Sequence, residues 1–534
     1  MADGDALLPD DPRAMADRRS GTGPSSGSFH RRLTLNSVSN TSRYIVFLGG
    51  SFLLTPFVVR TLGDAAYGFW VVLLAFAGYA GVLELGVQPA IVKLIGQYRG
   101  AADWRRLEEL GTAALVFFAA VGTFAAVLVA FIMPALVPLL VKDHQSFENL
   151  RTLFALIGVD VLIMFLNYVF AGVLYGWQLY HGKNVIDMAA WVLNALILVA
   201  FLRRGGLPLL AASKAGTDLA ALIATFLLCR RVLPDMHWLR GGLARRAFRE
   251  LLGFGSKVFL SATATRIQNY AQPVIISAYI STAATAFFAI PSRLIEYTQQ
   301  ITWALSTGYM PMFSELDGQQ DTVTIRSIYM RYSRFILTLT LPLLALVLVY
   351  GREFIGLWIG PEYAERGRGA LYILTAATLA QALQPLFWRL FLGVGRLNLP
   401  VAISTAASLL SVALGLLLVR PMGITGVALG VLLTIGTIQI FFFLHTSRYL
   451  GISPLKHFRE IQARPIAIGL AFVALAYACA RVIGTRTYGA MAAGAILSSI
   501  AYAPLAYGSL HSNERRKLRE TLQNLRRGKG IPAN

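Results

Sequence analysis

A small set of polar and charged side chains interrupts otherwise apolar stretches of this sequence at helical spacing. Glu84 and Gln88 stand four apart, which predicts one shared helix face. Arg293, Glu296 and Gln300 fall at i, i+3 and i+7, just after Pro291, whose missing N–H loosens a helix and frees a carbonyl. Arg266 and Asn269 share a face, as do Asn40 and Arg43. Guanidinium groups hold anionic oxygens through paired donors, and carboxylates can orient them or accept hydroxyls. Ionisable groups inside apolar helices cost several kcal/mol unless they face a cavity or a partner, so these residues are the candidate binding site. Two carry a structural alternative: Arg293–Glu296 as a static pair, and Arg43 as an anchor at a helix end.

Other intramembrane polar groups read as structural. Lys183–Asp187 and Lys214–Asp218 are i, i+4 pairs that neutralise themselves. Asp160 and Asn167 share a face suited to interhelical packing, with a proton relay as the alternative. Gln381, Gln384 and Arg389 cluster near Pro385, and Trp70, Trp177 and Trp358 read as interface anchors. Cys229 and Cys479 lack metal spacing, and the seven histidines form no paired motif, so no metal or cofactor is expected. No phosphate-binding GxxxxGK[ST] loop occurs, which argues against direct ATP use. The longest expected outer loop, Arg352–Arg368, holds no histidine, and no nucleophile–base set is visible, so an enzyme is not expected.

The elements that must position these residues are membrane helices. The 534 residues are 56% hydrophobic and only 14% charged, with mean hydropathy +0.59. Apolar runs such as Gly111–Leu140, Ala402–Val419 and Ile466–Val482 are long enough to cross a ~30 Å hydrocarbon core. Backbone groups in lipid must pair internally, so the runs are helices. The expected fold is an all-α polytopic membrane protein of about 14 transmembrane helices. The spans are 40–62, 66–96, 110–140, 151–176, 183–203, 207–231, 251–280, 283–314, 330–351, 369–395, 398–419, 424–447, 463–483 and 487–509. The fifth and sixth are divided only at Arg203–Gly206.

The net charge of +21 does not signal nucleic acid, because arginine and lysine concentrate in alternate loops. That bias puts both termini in the cytoplasm, with Arg203 and Arg204 as misfits on the outer side. Residues 1–32 read as a disordered polar tail, 33–232 as an N-terminal lobe and 253–450 as a C-terminal lobe. Residues 233–252 read as a basic amphipathic linker on the cytoplasmic surface, 451–510 as helices 13 and 14, and 511–534 as a basic tail.

The halves repeat. Thr55-Pro56 pairs with Gln272-Pro273, Ala66–Trp70 with Ala284–Phe288, and Gly86–Pro89 with Gly308–Pro311. Leu139–Val141 pairs with Leu357–Ile359, and Gly176 with Gly393. The offsets are 217, 218, 222, 218 and 217. Six helices per copy preserve orientation, so a parallel repeat about the membrane normal is expected, with the substrate path between lobes and alternating access.

Arg60–Tyr98, with Leu62-Gly63, Tyr67–Trp70, Glu84–Gly86 and Pro89-Ala90, resembles the opening of the polysaccharide-transporter, or oligosaccharide-flippase, family. That family lies within the multidrug/oligosaccharidyl-lipid/polysaccharide exporter superfamily. Ala289–Tyr297, Met310–Leu316, Leu357–Tyr363 and Gly393–Arg396 extend the likeness over roughly residues 36–450. The resemblance implies a two-lobed fold of 12 to 14 helices with a cationic cavity, in a bacterial inner membrane. It implies flipping of undecaprenyl-diphosphate-linked oligosaccharide for O-antigen, capsule or exopolysaccharide, with membrane lipids and other assembly proteins as partners. Arg43, Arg266 and Arg293 would then contact the diphosphate, while Glu84 and Glu296 orient the arginines or bond sugar. The seventh helix reads ATRIQNYAQPVIIS (264–277), where many relatives carry an acidic residue, so ion coupling is not implied. Alternatives are a peptidoglycan-precursor flippase, a multidrug exporter of the same superfamily, and, more distantly, a membrane glycan polymerase or ligase.

Overall fold

The computed structural model describes residues 26–101, 103–147, 149–234, 244–306 and 309–509, together with Arg515. Most of the expected N-terminal tail, part of the linker and most of the basic C-terminal tail lie outside the described residues. Among the described residues there is no strand. The helices are α1 (Ser26–Leu62), α2 (Asp64–Ala80, ending in a 3-10 turn Gly81–Glu84), α3 (Val87–Gly100), α4 (Trp104–Val127), α5 (Met133–Leu140), α6 (Leu150–Gly176) and α7 (Tyr180–Val232). They continue as α8 (Arg245–Tyr279), α9 (Thr282–Leu305), α10 (Tyr309–Gly318), α11 (Thr322–Trp358), α12 (Pro361–Arg366), α13 (Arg368–Ala380), α14 (Gln384–Gly393) and α15 (Asn398–Tyr449). The chain closes with α16 (Pro454–His457), α17 (Arg464–Ile483) and α18 (Tyr488–Ser509). α1 begins inside the stretch expected to be a tail. The basic segment from Arg245 runs on into α8 rather than forming a separate helix.

Ten helices among the described residues are long and apolar enough to cross a membrane. That criterion falls short of the 14 spans expected, partly because it counts α7 and α15 once each. At 53 and 52 residues, each is about 80 Å of helix, far more than one crossing needs. Each folds back on itself at one glycine, Gly206 (φ 52°, ψ −146°) and Gly423 (φ 61°, ψ −141°). A Cβ on Gly182 would lie 2.8 Å from Leu228, and one on Gly430 would lie 3.0 Å from the Gly415 amide, so the two arms of each hairpin run alongside one another. The break at Gly206 falls at the division expected from Arg203–Gly206.

The chain divides into two compact units. The first comprises Met1–Leu62, Leu73–Pro138 and His144–Thr263; the second comprises Gly63–Val72, Leu139–Asp143 and Ala264–Asn534. In the first, Phe118 of α4 meets Phe165 of α6 with ring centroids 5.9 Å apart. The second unit includes α17 and α18, which are fixed to α11 by Tyr350 Oη donating to the Ala476 carbonyl at 3.0 Å and Tyr502 Oη donating to Thr338 at 2.9 Å.

The repeat is written into the backbone. Gly206 and Gly423 stand 217 apart, the offset of the other landmarks. Asp103 and Asp321, 218 apart, each cap a long helix by accepting from a backbone N–H three residues on: Arg106 at 3.1 Å and Thr324 at 2.9 Å. Gly176 packs on α3, where an added Cβ would lie 2.6 Å from Ile95. Gly393 packs on α10, where it would lie 2.9 Å from the Met310 carbonyl. The expected continuous helix over 66–96 is interrupted at the Gly86 landmark, and the one expected over 283–314 is described as α9 ending at Leu305 and α10 starting at Tyr309. In the first, Leu85 (φ 53°) and Gly86 (φ 71°) are both left-handed, which no α-helix can pass through.

Where α3 meets the start of α8, the Tyr98 hydroxyl and Arg246 (Nε at 2.8 Å) both bond the Glu250 carboxylate. Partial burial works against ionisation of Glu250, and the bonds from Tyr98 and Arg246 outweigh it, holding the carboxyl below its ordinary value. Burial, then the bond to Glu250, pushes the Tyr98 hydroxyl up to about 12, so it stays a donor. A lowered carboxyl contributes stability above its ordinary value of 4.5 and loses it as pH falls through the lowered value. The protection of amides 244–252, with the intrinsic pH dependence of exchange divided out, should be steady from neutral pH to about 4.5 and then fall; Glu250→Gln should remove that step.

The hairpin turns give a second test. Gly206→Ala meets no steric clash, yet its backbone region is essentially closed to other residues, so the strain is about 2 kcal/mol. Gly206→Ala and Gly423→Ala should each lower the thermal midpoint of detergent-purified protein. Gly216→Ala, in open space within a helix, should leave it unchanged or slightly raised.

Candidate functional site

The first unit contains a cavity of about 610 Å3 between α1, α3, α6 and both arms of α7. Arg43 and Gln88 line it, with Tyr175, Lys183, Asp187 and Lys214. α1 brings Arg43 to within 3.4 Å of Asp187 and places its guanidinium 5.3 Å from the Phe47 ring centre. Lys183, almost fully buried, pairs with the same Asp187. The neighbouring Asn184 fastens α7 to α1 by donating to Ser39 Oγ at 3.0 Å and to Asn40 Oδ1 at 2.7 Å.

A second ionic group bridges α6 and the other arm of α7. Lys214 Nζ lies 2.8 Å from Asp160 and 2.6 Å from Asp218. Spacing along the chain pairs Lys214 with Asp218 alone and leaves Asp160 to interhelical packing. The structure joins all three, because the hairpin at Gly206 returns Lys214 to α6. Three cations therefore meet three carboxylates, and the first unit's cavity is balanced rather than cationic. The pairs are unequal. Lys183 is enclosed, whereas Arg43 is 40% exposed and holds Asp187 only at 3.4 Å. Of the two cations on Asp187, Arg43 is thus the less tightly held. Asn167 and Asn194 line the cavity, and their buried Oδ1 atoms have no hydrogen-bond partner among the described residues.

The expected site residues do not all converge. Glu84 and Gln88 do not share a helix face, because the left-handed Leu85–Gly86 break separates them. Glu84 is buried at the end of α2, while Gln88 reaches the cavity from α3. The other five belong to the second unit. Arg293 pairs with Glu296 at 2.9 Å, both nearly half exposed, and Gln300 is exposed one turn on. Arg266 is half-buried and Asn269 exposed on α8. Arg389 of α14 stacks over Trp303, 5.8 Å from its ring centre. Tyr175, Trp191, Asn167 and Asn194 were missed as cavity residues. The available signal was the crowding of charge on 183–218.

A family of polysaccharide biosynthesis proteins matches residues 57–366. The chain belongs to that family. A putative O-antigen transporter of Shigella flexneri is 21% identical over 74% of this chain and 93% of its own length. An uncharacterized membrane protein of Bacillus subtilis (strain 168) is 22% identical over 93% of this chain and 99% of its own. Among solved structures, a lipid II flippase in an inward closed conformation superposes with TM-score 0.69 at 13% identity, covering 89% of this chain and 99% of that one. An inward-facing multidrug resistance transporter superposes with TM-score 0.61 at 15% identity, covering 77% and 94%. At these identities the superpositions establish a shared multi-pass transporter fold. The Shigella relative and both solved structures are named as transporters or flippases, in keeping with the reading that this family member is not an enzyme.

The α6–α7 bridge makes a stability prediction. Lys214→Ala leaves Asp160 buried without its cation, a loss of about 3 kcal/mol, at the low end for a broken buried pair because Lys214 is a third exposed. The thermal midpoint should fall, and Asp160→Asn added to Lys214→Ala should recover much of it.

Proposed function

We propose that this protein flips undecaprenyl-diphosphate-linked oligosaccharide from the cytoplasmic to the outer leaflet by alternating access, supplying a surface polysaccharide. Family membership supports a role in polysaccharide biosynthesis. The observation that carries the reading is the cavity of the first unit, with one loosely paired arginine beside unpartnered amide oxygens. Arg43 suits phosphate oxygens, and Asn167 and Asn194 suit sugar hydroxyls. Arg266, Asn269, Arg293, Glu296 and Gln300 of the second unit are assigned to the same substrate, contacting it at another stage of the cycle. The name of the Shigella relative favours a surface-glycan substrate over the peptidoglycan precursor. The protein then resides in the bacterial cytoplasmic membrane with both termini inside, the side favoured by its basic loops.

Complementation tests this. The chain is expressed in a host that lacks its own flippase and displays a known surface glycan. Restored glycan is the expected result, with Arg43→Ala, Arg266→Ala and Arg293→Ala each reducing it about tenfold or more at unchanged protein level. Restoration that survives all three substitutions overturns the site. Failure across a panel of surface glycans, together with export of cationic drugs, overturns the function.

A further inference from the structure

The hairpin α15 is closed at one end and open at the other. Near its turn the arms touch backbone to backbone, with a Cβ on Gly426 falling 2.1 Å from the Leu418 carbonyl oxygen and one on Gly430 3.0 Å from the Gly415 amide. Beyond Thr434 a groove of about 490 Å3 lies between the arms. Its walls are apolar: Leu399, Ile403 and Leu410 on the first arm, and Ile438, Phe441 and Leu444 on the second. The two threonines that line it offer no free donor, since Thr434 Oγ1 donates to the Gly430 carbonyl and Thr437 Oγ1 to the Leu433 carbonyl, both at 2.8 Å. Helix rise makes Thr434 to Arg448 about 20 Å long, close to the depth of one bilayer leaflet.

Charge appears at one end only. Arg448 and His445 line the groove where α15 meets the loop before α16. Arg448 is exposed and has no carboxylate partner among the described residues. Arg396 adds a second cation at this end, 5.2 Å from the Tyr449 ring centre, while Asp317 is the acidic group acting on Tyr449. The surface is therefore amphipathic along its length: a leaflet-deep apolar slot ending in net positive charge, Arg448 and Arg396 against Asp317.

We infer that this groove holds a resident anionic phospholipid, with one acyl chain between the arms of α15 and its phosphate on Arg448. The length selects a phospholipid, because a long polyprenyl chain overruns a slot of one leaflet. The charge selects an anionic headgroup, since Arg448 gives zwitterionic lipid no comparable net attraction. The site is separate from the cavity of the first unit and does not depend on the identity of the transported substrate.

The test is native mass spectrometry of the full chain released from mixed micelles containing equal phosphatidylglycerol and phosphatidylcholine with identical chains. Wild type should retain phosphatidylglycerol preferentially. Arg448→Gln, at an exposed position, should lower the ratio about tenfold, the share of one charge-assisted contact. Ala406→Phe, which fills the groove from an exposed position, should reduce retention of both lipids. Free glycerol phosphate should neither bind nor displace the lipid. Equal retention of the two lipids by wild type, or an unchanged ratio in Arg448→Gln, overturns the inference. So does displacement of phosphatidylglycerol by undecaprenyl phosphate at equal concentration, because the slot would then serve polyprenyl lipid.

Discussion

Water is absent from the hydrocarbon core, so each backbone N–H and C=O there must find its partner within the chain. Much of this architecture follows from that constraint. Chain reversals have to be made with little exposed backbone, and α7 and α15 make them at single glycines in a region of φ/ψ closed to other residues. Two of the long helices begin where an aspartate takes up a free N–H, at Asp103 and Asp321. The interruption at Leu85–Gly86 is tolerated because it is short, with the Leu85 amide still donating back to Val82.

The same scarcity of water governs the ionic groups. Asp160, Lys183 and Lys214 persist among helices because each is matched, and the matches tie separate elements together: α6 to α7 through Lys214, and α1 to α7 through Asp187. A balanced cavity suits transport better than an excess of cations. On the proposed function, a strongly positive pocket would hold a diphosphate too firmly to release it, whereas a carboxylate that reclaims its arginine gives the anion a way out.

Apolar run length and landmark spacing carried most of the fold into view. The hairpin division at Gly206 was legible because two arginines and two glycines interrupt an apolar run, and the repeat was legible because offsets of 217 and 218 recur. Helical periodicity failed where it assumed continuity. Glu84 and Gln88 are correctly spaced for one face, but left-handed Leu85 and Gly86 lie between them. Partners across helices were hidden for a different reason. Spacing along the chain pairs Lys214 with Asp218, and nothing local shows that the returning arm also carries Lys214 to Asp160. The capping pair Asp103 and Asp321 was present at the repeat offset and went unread, because capping depends on backbone geometry that a residue type only suggests.

The bridge between Asp160 and Lys214 also bears on biogenesis. The second arm of α7 carries a lysine and an aspartate, each of which opposes partition of an isolated helix from the translocon by about 2.5–3.5 kcal/mol near the centre. That arm therefore enters lipid most readily alongside α6, whose carboxylate neutralises the lysine. α6 precedes α7 in the chain, so its carboxylate is already made when the second arm emerges. A sequence change at Asp160 that keeps Lys214 would thus lower the share of chains whose second α7 arm inserts, a loss separate from any change in the stability of the folded protein.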